Sequence, residues 1–262
     1  MDLLRQVQHP PIEVHNAVLN ACAKACDFEL AWGVWQSMPE KDLVSYNSMI
    51  SVCSSTFQSE RAEEVWEELL RQGLQPNIIT YTSMITIHGL RGNVDKATEM
   101  FESLKTNAVA DAYAYGAIMS AVARIGDYTK TRELFIEMVN AGVSVKHYHF
   151  NSLLVACAKG CDSNTAGSIY QMMSSYGVKP TVTEYTSLIA CYRLDVVRCR
   201  EVLKEMRDVT VQPSLLTYKQ LVDAELGAGN EDEAKKFLIE AKGRNPRLTA
   251  HLSRLALQLG VP

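Results

Sequence analysis

The chain has few residues that interrupt helices and no stretch that would separate it into independent parts. Its 262 residues include 8 prolines and 14 glycines, and neither type clusters into a flexible linker or a low-complexity segment. No apolar run approaches the roughly 18 residues that cross a bilayer. The N-terminal MDLLRQVQHPP lacks the apolar core of a signal peptide and the Arg- and Ser-rich, acid-poor composition of a transit peptide. We therefore expect a continuous folded chain without membrane insertion or an attached targeting segment.

A strong charge of one sign is also missing. The formal net charge of −4 argues against a generic binder of polyanions, because such proteins are usually strongly basic. A concave positive track on an otherwise acidic surface remains open. The seven cysteines are an odd number in a chain rich in helix formers, so they do not suggest a disulfide framework.

What the chain does have is an internal repeat, visible as an aromatic residue followed by a small polar residue and an apolar turn. The motif reads SYNSMI in one place and TYTSMI in another. Its first position recurs at intervals of 31 to 35 residues, at His15, Tyr46, Tyr81, Tyr115, Phe150, Tyr185 and Tyr218. A fixed period of this size is typical of stacked helical repeats.

Two amphipathic helices fit into each period. The second repeat shows the helical spacing twice: Tyr46, Met49, Ile50 and Cys53, then Ala62, Val65, Trp66 and Leu69. Segments such as RQGLQPN and SYGVKPT end the second helix, because Gly permits a left-handed cap and Pro blocks continuation. One helix pair cannot bury its apolar face alone, so the pairs must stack into a solenoid.

The period predicts about seven repeats within residues 10–247. They are 12–42, 43–77, 78–111, 112–146, 147–181, 182–214 and 215–247. Residues 1–9 resemble the tail of a preceding helix. Residues 248–262 are predicted to form a C-terminal capping helix, in which Leu255, Leu257 and Leu259 would need a partner.

A period near 34 also fits the peptide-binding tetratricopeptide repeat, but that pattern requires Leu-Gly where this chain has Met49-Ile50, Met84-Ile85 and Leu153-Leu154. The repeat ends GLQPN and GVKPT, followed by the aromatic motif, instead resemble the pentatricopeptide repeat, a family of organellar RNA-binding solenoids. The first repeat, which ends MPEKD, resembles the short variant of plant-like members. The resemblance covers essentially the whole chain. It implies an all-α, right-handed α-solenoid of about seven helix-turn-helix repeats plus a C-terminal helix.

The resemblance also implies that one repeat reads one RNA base. The residue after the aromatic and the last residue of the repeat would contact the base edge, since Asn, Thr and Asp offer different donors and acceptors. These positions are Asn16, Asp42, Asn47, Asn77, Thr82, Asp111, Gly116, Lys146, Asn151, Thr181, Thr186 and Ser214. The alternative is a solvent-facing turn residue or helix N-cap.

By position, the pairs imply different bases. Asn16 with Asp42 resembles a uridine reader, Asn47 with Asn77 a cytidine reader, Thr82 with Asp111 a guanosine reader, and Asn151 with Thr181 a pyrimidine reader. Gly116 with Lys146 departs from the pattern because Gly has no side chain, Thr186 with Ser214 is ambiguous, and Lys219 is not a standard reader. The family binds with its N-terminal repeat toward the 5′ end, so the implied core is U-C-G, an unread base and a pyrimidine.

Two further sets of residues follow from the resemblance. The second residue of each repeat would wedge between bases, and the candidates are Val44, Ile79, Tyr113, Tyr148 and Leu216. Basic residues near the ends of first helices could meet phosphates, although their alternative is a solvated helix surface; they are Lys24, Arg91, Arg124, Lys159 and Arg193.

No metal or cofactor is expected. Cys22 with Cys26 and Cys157 with Cys161 have a spacing that could hold zinc on one helix face. However, Cys22, Cys53 and Cys157 share one repeat position that is predicted to be buried, where a small apolar residue fits. The Gly-rich phosphate loop, the HExxH motif and the zinc-deaminase signature are all missing. Family members carry catalytic activity in additional C-terminal domains, which the sequence after residue 247 does not contain.

The sequence therefore predicts a non-enzymatic, sequence-selective protein that binds single-stranded RNA, either organellar mRNA or rRNA. It would act in RNA processing, stability or translation in the mitochondrion or plastid, with its targeting segment absent from this chain. One alternative is a structural component of a large organellar ribonucleoprotein such as the ribosome, which binds rRNA and neighbouring subunits. Another is a scaffold that binds proteins alone, with a peptide in its groove.

Overall fold

The computed structural model describes residues 11–160, 163–245 and 247–261. Every regular element in these residues is an α-helix, which confirms the predicted all-α class. The chain forms two compact halves, Met1–Arg124 and Ile125–Pro262. The predicted helix tail at 1–9 lies outside the described residues.

The helices alternate with short turns along both halves. The N-terminal half holds α1 (Ile12–Ala25), α2 (Phe28–Ser37), α3 (Leu43–Ser55), α4 (Ser59–Arg71), α5 (Ile78–Leu90), α6 (Val94–Asn107) and α7 (Ala112–Ile125). The C-terminal half holds α8 (Tyr128–Asn140), α9 (His147–Gly160), α10 (Ser163–Ser175), α11 (Val182–Cys191), α12 (Val196–Asp208), α13 (Leu215–Gly227), α14 (Glu231–Arg244) and α15 (Ala250–Gln258). Each predicted repeat thus contains a first and a second helix.

Local chemistry fixes where these helices begin and end. Asp42, Asn77 and Ser214 each cap a first helix through a capping box with the third residue of that helix. Second helices end at glycines with left-handed backbone, as predicted for RQGLQPN and SYGVKPT: φ is +71° at Gly73 and +66° at Gly177. Because each of these second helices ends at a glycine, the first helix of the next repeat begins a fixed number of residues later.

Aromatic pairs join consecutive repeats. In each half the aromatic residue of a first helix packs on an aromatic residue of the preceding second helix, at ring-centroid distances of 5.0 Å for Trp35–Tyr46, 5.3 Å for Trp66–Tyr81 and 5.1 Å for Phe101–Tyr115. Phe135 and Phe150 repeat this contact at 5.3 Å. Edge-to-face packing of this kind contributes about 0.5–1.5 kcal/mol per pair beyond simple burial. The recurring aromatic column is therefore the seam between repeats.

Within each half, a first helix also packs against the first helix of the next repeat, as α1 does on α3 and α9 on α11. This side-by-side arrangement brings the first turns of successive first helices to one edge. The residues predicted to read bases are the fifth residue of a first helix or the residue just before a first helix.

The C-terminal helix α15 begins at the N-cap Thr249 and packs on α14. It buries Leu252 and Ala256, whereas Leu257 is 82% exposed. The buried stripe of α15 follows residues four apart that do not include Leu257, so the expectation that this side chain needs a partner stays a prediction.

No described helix is long and apolar enough to pass through a bilayer. The described cysteines form no disulfide with one another, and Cys22, Cys53 and Cys157 are buried as their shared repeat position predicts. Cys161 lies outside the described residues.

Candidate nucleic-acid interface

In the first repeat, Asn16 and Asp42 are in direct contact. Asn16 Nδ2 donates to Asp42 Oδ1 across 3.2 Å. The same carboxylate oxygen accepts from the backbone N–H and the hydroxyl of Ser45, because Asp42 is the N-cap of α3. Burial alone would raise the pKa of Asp42, but the hydrogen bonds from Ser45 and Asn16 outweigh it and hold that pKa below its ordinary value. The pair therefore presents an ionised carboxylate beside an amide.

The amide of Asn16 has one polar atom left over. Its Oδ1 atom is buried and has no hydrogen-bond partner among the described residues. Buried polar atoms are almost always paired in folded proteins, so this oxygen is an exception at the junction of the first two repeats.

In the second repeat, Asn47 contacts both members of the next capping box. Asn47 Nδ2 donates to Asn77 Oδ1 across 3.3 Å, and the Thr80 hydroxyl lies 2.6 Å from Asn47 Oδ1. Asn77 is the N-cap of α5, and its own Oδ1 accepts from the Thr80 backbone N–H. The structure therefore brings together the two residues that were predicted to read one base.

In the third repeat, Thr82 and Asp111 line one open pocket of about 260 Å³. Ile79 and Tyr113, the wedge candidates of this repeat and the next, line the same pocket. Asp111 also accepts from the backbone N–H of Ala114 in the first turn of α7. Two polar side chains thus lie between two exposed apolar side chains, an arrangement that suits a flat ring with hydrogen-bonding edges.

The C-terminal half uses its corresponding residues differently. The Ser187 hydroxyl donates to Asn151 Oδ1 across 2.7 Å. The Thr181 hydroxyl donates a hydrogen bond to the buried Glu184 carboxylate across 2.5 Å and accepts one from the Thr183 backbone N–H. This geometry does not favour Thr181 as a reader, because its hydroxyl already donates one hydrogen bond and accepts another in capping α11.

Thr186 is buried, and its hydroxyl lies 2.7 Å from both the Val182 carbonyl and the Thr217 hydroxyl. It therefore meets the third residue of α13 and not Ser214, which is occupied as the N-cap of that helix. Gly116 lies in α7 and contributes no side chain, while Lys146 is exposed just before α9. Lys219 forms an ion pair with Asp223 on its own helix.

The wedge candidates are largely exposed apolar side chains. The exposed fraction is 53% for Val44, 58% for Ile79, 71% for Tyr113 and 55% for Leu216. Tyr148 is partly buried and packs beside His147 and His149. Their position one residue into each first helix places them next to the reading residues.

All five phosphate candidates, Lys24, Arg91, Arg124, Lys159 and Arg193, are exposed. Two of them already bind backbone of the preceding repeat: Arg91 donates to the Phe57 carbonyl across 3.3 Å, and Arg193 donates to the Ala158 carbonyl across 2.8 Å. These two guanidinium groups therefore also join consecutive first helices at their C-terminal ends, where carbonyls lack helical partners.

Sequence reasoning missed Thr80, Glu184 and Ser187. A signal was available for Thr80 and Glu184, because the third residue of four first helices is Ser, Thr or Glu, at Ser45, Thr80, Glu184 and Thr217; Ser187 lies outside this pattern. In the residues that the structure describes, no group of three or more His, Cys, Asp or Glu side chains has an arrangement that would hold a metal ion.

Several Arabidopsis thaliana proteins are similar in sequence. Pentatricopeptide repeat-containing protein At1g03540 is 24% identical over 66% of this chain and 28% of its own length. Pentatricopeptide repeat-containing protein At4g33170 is 26% identical over 93% of this chain and 24% of its own length. The chain thus spans about a quarter of the length of these relatives.

Solved structures show the same fold. Maize PPR10, crystallised in complex with an 18-nt psaJ RNA element, matches with a TM-score of 0.69 over 93% of this chain and 41% of that chain, at 19% identity. The PPR domain of Arabidopsis thaliana protein-only RNase P 1, in complex with tRNA, matches with a TM-score of 0.54 over 75% of this chain and 99% of that chain, at 16% identity. These likenesses confirm an α-solenoid of helical repeats.

Family models cover most of the chain. The PPR repeat models match residues 13–43, 41–90 and 79–109. The model of the pentacotripeptide-repeat region of PRORP matches residues 112–244, which is half of the chain. The chain belongs to the pentatricopeptide-repeat family.

Proposed function

We propose that this protein binds single-stranded RNA selectively by sequence and acts in organellar RNA processing, stability or translation. The observation that carries the proposal is the pairing of reading residues in the N-terminal half. Asn16 meets Asp42, Asn47 meets Asn77, and Thr82 shares a pocket with Asp111 between the wedge residues Ile79 and Tyr113. Three consecutive repeats thus offer three different sets of polar atoms at equivalent positions.

The polar groups of the first two repeats support a base assignment. In the first repeat, the Asp42 carboxylate beside Asn16 is an acceptor, and uracil offers a donor at its N3–H. In the second repeat, Thr80 and Asn77 each contact one end of the Asn47 amide. The remaining amide N–H of Asn47 can donate to the N3 acceptor of cytosine. The difference between these two repeats favours uridine at the first and cytidine at the second.

The wedge residues supply affinity that does not depend on sequence. Stacking of a base on a side chain is worth roughly 1–3 kcal/mol per base when the partner is aromatic, and Tyr113 is the most exposed wedge. The expected core is U-C-G from the 5′ end, followed by an unread base and a pyrimidine. Selectivity should be weaker at the fifth repeat, where Asn151 acts without Thr181, and at the sixth, because Thr181 and Thr186 are occupied within the protein.

The proposed role is occupancy of RNA, without chemistry by this chain. Bound protein would block nucleases, prevent hairpins or recruit an enzyme. The RNAs in the PPR10 and RNase P 1 structures are ligands of those proteins. Protein-only RNase P 1 and RNase P 2 share the repeat fold with this chain. Relatives named mitochondrial and chloroplastic support a role in one of these organelles.

A competition between short single-stranded RNAs tests the proposal. One RNA carries U-C-G followed by two pyrimidines, and the other has the same composition with its first three bases permuted to G-U-C, which changes the base at each of the first three repeats. We expect tighter binding of the first, by about tenfold or more, since each lost hydrogen bond changes affinity by about fivefold. Asn47→Ala should reduce this preference. Lys236→Ala, on the exposed face of α14, is the matched control and should not change it.

Equal affinity of the wild type for both RNAs would overturn sequence selectivity. Tighter binding of a double-stranded RNA of the same sequence would overturn the single-stranded specificity, because a duplex hides the base edges that the reading residues need.

A further inference from the structure

Two hydroxyl groups hold the amides of reading residues that belong to the preceding repeat. The Thr80 hydroxyl lies 2.6 Å from Asn47 Oδ1, and the Ser187 hydroxyl lies 2.7 Å from Asn151 Oδ1. The sequence separations are 33 and 36 residues, so each contact crosses from one repeat to the next. Neither hydroxyl is among the residues that were predicted to touch RNA.

Two contacts favour one orientation of the Asn47 amide. Thr80 Oγ1 accepts from the Asn77 backbone N–H, and the hydroxyl lies closer to Asn47 Oδ1, at 2.6 Å, than to Asn77 Oδ1, at 3.0 Å. With that oxygen turned toward Thr80, Asn47 Nδ2 points at Asn77 Oδ1. The reversed amide would place two carbonyl oxygens at the 3.3 Å contact, which is repulsive.

The amide of Asn151 in the fifth repeat is also held by a hydroxyl of the next repeat, but that hydroxyl comes from a different position of the helix. The third residue of α11 is Glu184, a carboxylate that is occupied by Thr181 and cannot donate while ionised. Ser187, one turn further along α11, donates to Asn151 instead. Two repeats thus supply a donor to the reading amide of the repeat before them, although the donor comes from different positions.

The first repeat lacks such a donor. The Ser45 hydroxyl is directed to Asp42 Oδ1 at 2.7 Å, and Asn16 Oδ1 has no partner among the described residues. The amide oxygen of Asn47 is thus held by a hydroxyl of the next repeat, whereas the buried amide oxygen of Asn16 has no such donor among the described residues. The residue that follows in the next repeat therefore distinguishes two asparagines that are otherwise equivalent in sequence.

We infer that Thr80 and Ser187 are positioning residues that fix which end of the Asn47 and Asn151 amides faces a bound base, and so help to set the base preference of a repeat to which they do not belong. This inference rests on the proposed function, since it assumes that the two asparagines read bases. Asn77 holds Asn47 a second time, so the effect of losing the hydroxyl should be larger at Asn151.

Ser187→Ala is the principal test. Ser187 is partly buried inside α11 and outside any helix cap, so its replacement by alanine should leave the helix intact. Affinity is measured for four single-stranded RNAs that differ only at the base opposite Asn151. We expect the ratio between pyrimidine and purine to fall by about fivefold, the equivalent of one hydrogen bond. Ser55→Ala, whose hydroxyl donates within its own helix to Val52, is the matched control and should leave every ratio unchanged.

Thr80→Val tests the second instance with RNAs that differ opposite Asn47. We expect a smaller loss of discrimination, and Thr80→Ser, which keeps the hydroxyl, should restore the wild-type ratio. Thr98→Val is the control, because Thr98 bonds only to Val94 on its own helix. Thr80 also takes part in the cap of α5, so Ser187→Ala decides the matter if Thr80→Val does not fold.

The outcomes separate the inference from the proposed function. A wild type that discriminates at both positions, with unchanged ratios in both variants, overturns the inference alone. Equal weakening toward all four RNAs means a purely structural role and also overturns it. A wild type with no discrimination opposite Asn47 and Asn151 overturns base reading at these residues and the inference with it.

Discussion

Asn16 and Asp42 are 26 residues apart in sequence and are joined by a hydrogen bond of 3.2 Å. Asp42 is at the same time the N-cap of α3, so a single carboxylate starts one helix and orients the reading amide on another. Structural and reading roles therefore share atoms at the repeat junction. Experiments on this interface need a readout of stability beside a readout of RNA binding.

The first prediction concerns pH. The folded-state pKa of Asp42 lies below its ordinary value of 3.8, so the stability that it contributes is present above that value and is lost as the pH falls through the folded-state pKa. We expect the wild type to be more stable than Asp42→Asn by about 1 kcal/mol at pH 6, since Asn retains a cap but not the charge. The difference should narrow toward pH 3. Urea unfolding at several pH values measures it.

Glu40→Gln is the control for the loss of one negative charge, because Glu40 is exposed in the turn just before Asp42. The stability difference between Glu40→Gln and the wild type should not reproduce the pH-dependent difference that is expected for Asp42→Asn. Parallel pH profiles of the wild type and Asp42→Asn would contradict a depressed pKa at Asp42.

The second prediction concerns base choice. Thr82→Asn places beside Asp111 the same side chain that Asn16 places beside Asp42, so the third repeat should change its preference from guanosine toward uridine. Because Thr82 is only partly buried in the first turn of α5, stability should change by less than about 1 kcal/mol. Affinities for RNAs that differ at this single base measure the change. An unaltered preference for guanosine would show that Thr82 does not read it.

The sequence predicted the elements of this fold well because each depends on local chemistry. Glycine at the end of a second helix and an N-cap at the start of a first helix act within a few residues, and the aromatic column is visible from its spacing. The aromatic pairs, such as Trp35 with Tyr46, follow once the repeats are stacked.

Hydrogen bonds between repeats were not predictable in the same way. Whether Ser45 donates to Asp42 or Thr80 donates to Asn47 depends on how the neighbouring helices pack. Likewise, the sequence predicted that the exposed arginines contact phosphates, whereas in the structure Arg193 donates to a backbone carbonyl of the preceding repeat. Residue type defines the available donors and acceptors, and packing selects among them.

The third prediction concerns the ion pair between α12 and α13. Arg200 donates to both carboxylate oxygens of Glu225 at 2.7 Å, and Asn230 donates to the same carboxylate. Glu225 is buried, so Arg200→Met should lower the free energy of unfolding by roughly 2 kcal/mol. This is less than for a fully buried pair because Arg200 is partly exposed.

Lys236→Met breaks the exposed pair with Glu233 and is the control for Arg200→Met. It should cost less than about 0.5 kcal/mol, since surface pairs contribute little. Chemical denaturation measures both variants. Equal losses in the two would show that burial of Glu225 adds nothing to its pair.

The fourth prediction concerns thiol reactivity. Burial raises the pKa of Cys53 and of Cys199 to about 12, whereas Cys26 is exposed at the end of α1. Iodoacetamide at pH 8 should therefore label Cys26 first and leave Cys53 and Cys199 unmodified until the protein unfolds, because the thiolate is the reactive form. Mass spectrometry of a Cys161→Ser background identifies the labelled sites. Rapid labelling of Cys53 in the folded protein would contradict its burial.

The last prediction concerns a close approach of two first helices in the N-terminal half, at Gly89. A Cβ atom added at Gly89 in α5 would lie 2.6 Å from the Cβ atom of Ala121 in α7, so a side chain there must push the helices apart. Gly89→Ala should therefore destabilise the protein by about 1–3 kcal/mol, although alanine is the better helix former.

Gly243 provides the matched comparison, because it also lies in a helix, α14, and nothing occupies the space around an added Cβ atom. Gly243→Ala should stabilise the protein by up to about 1 kcal/mol through reduced chain entropy. Thermal or urea unfolding of the two variants separates packing from helix propensity. If Gly89→Ala stabilises the protein as much as Gly243→Ala does, the two helices are not held in close contact at this position and the stacking of consecutive first helices is looser than the structure shows.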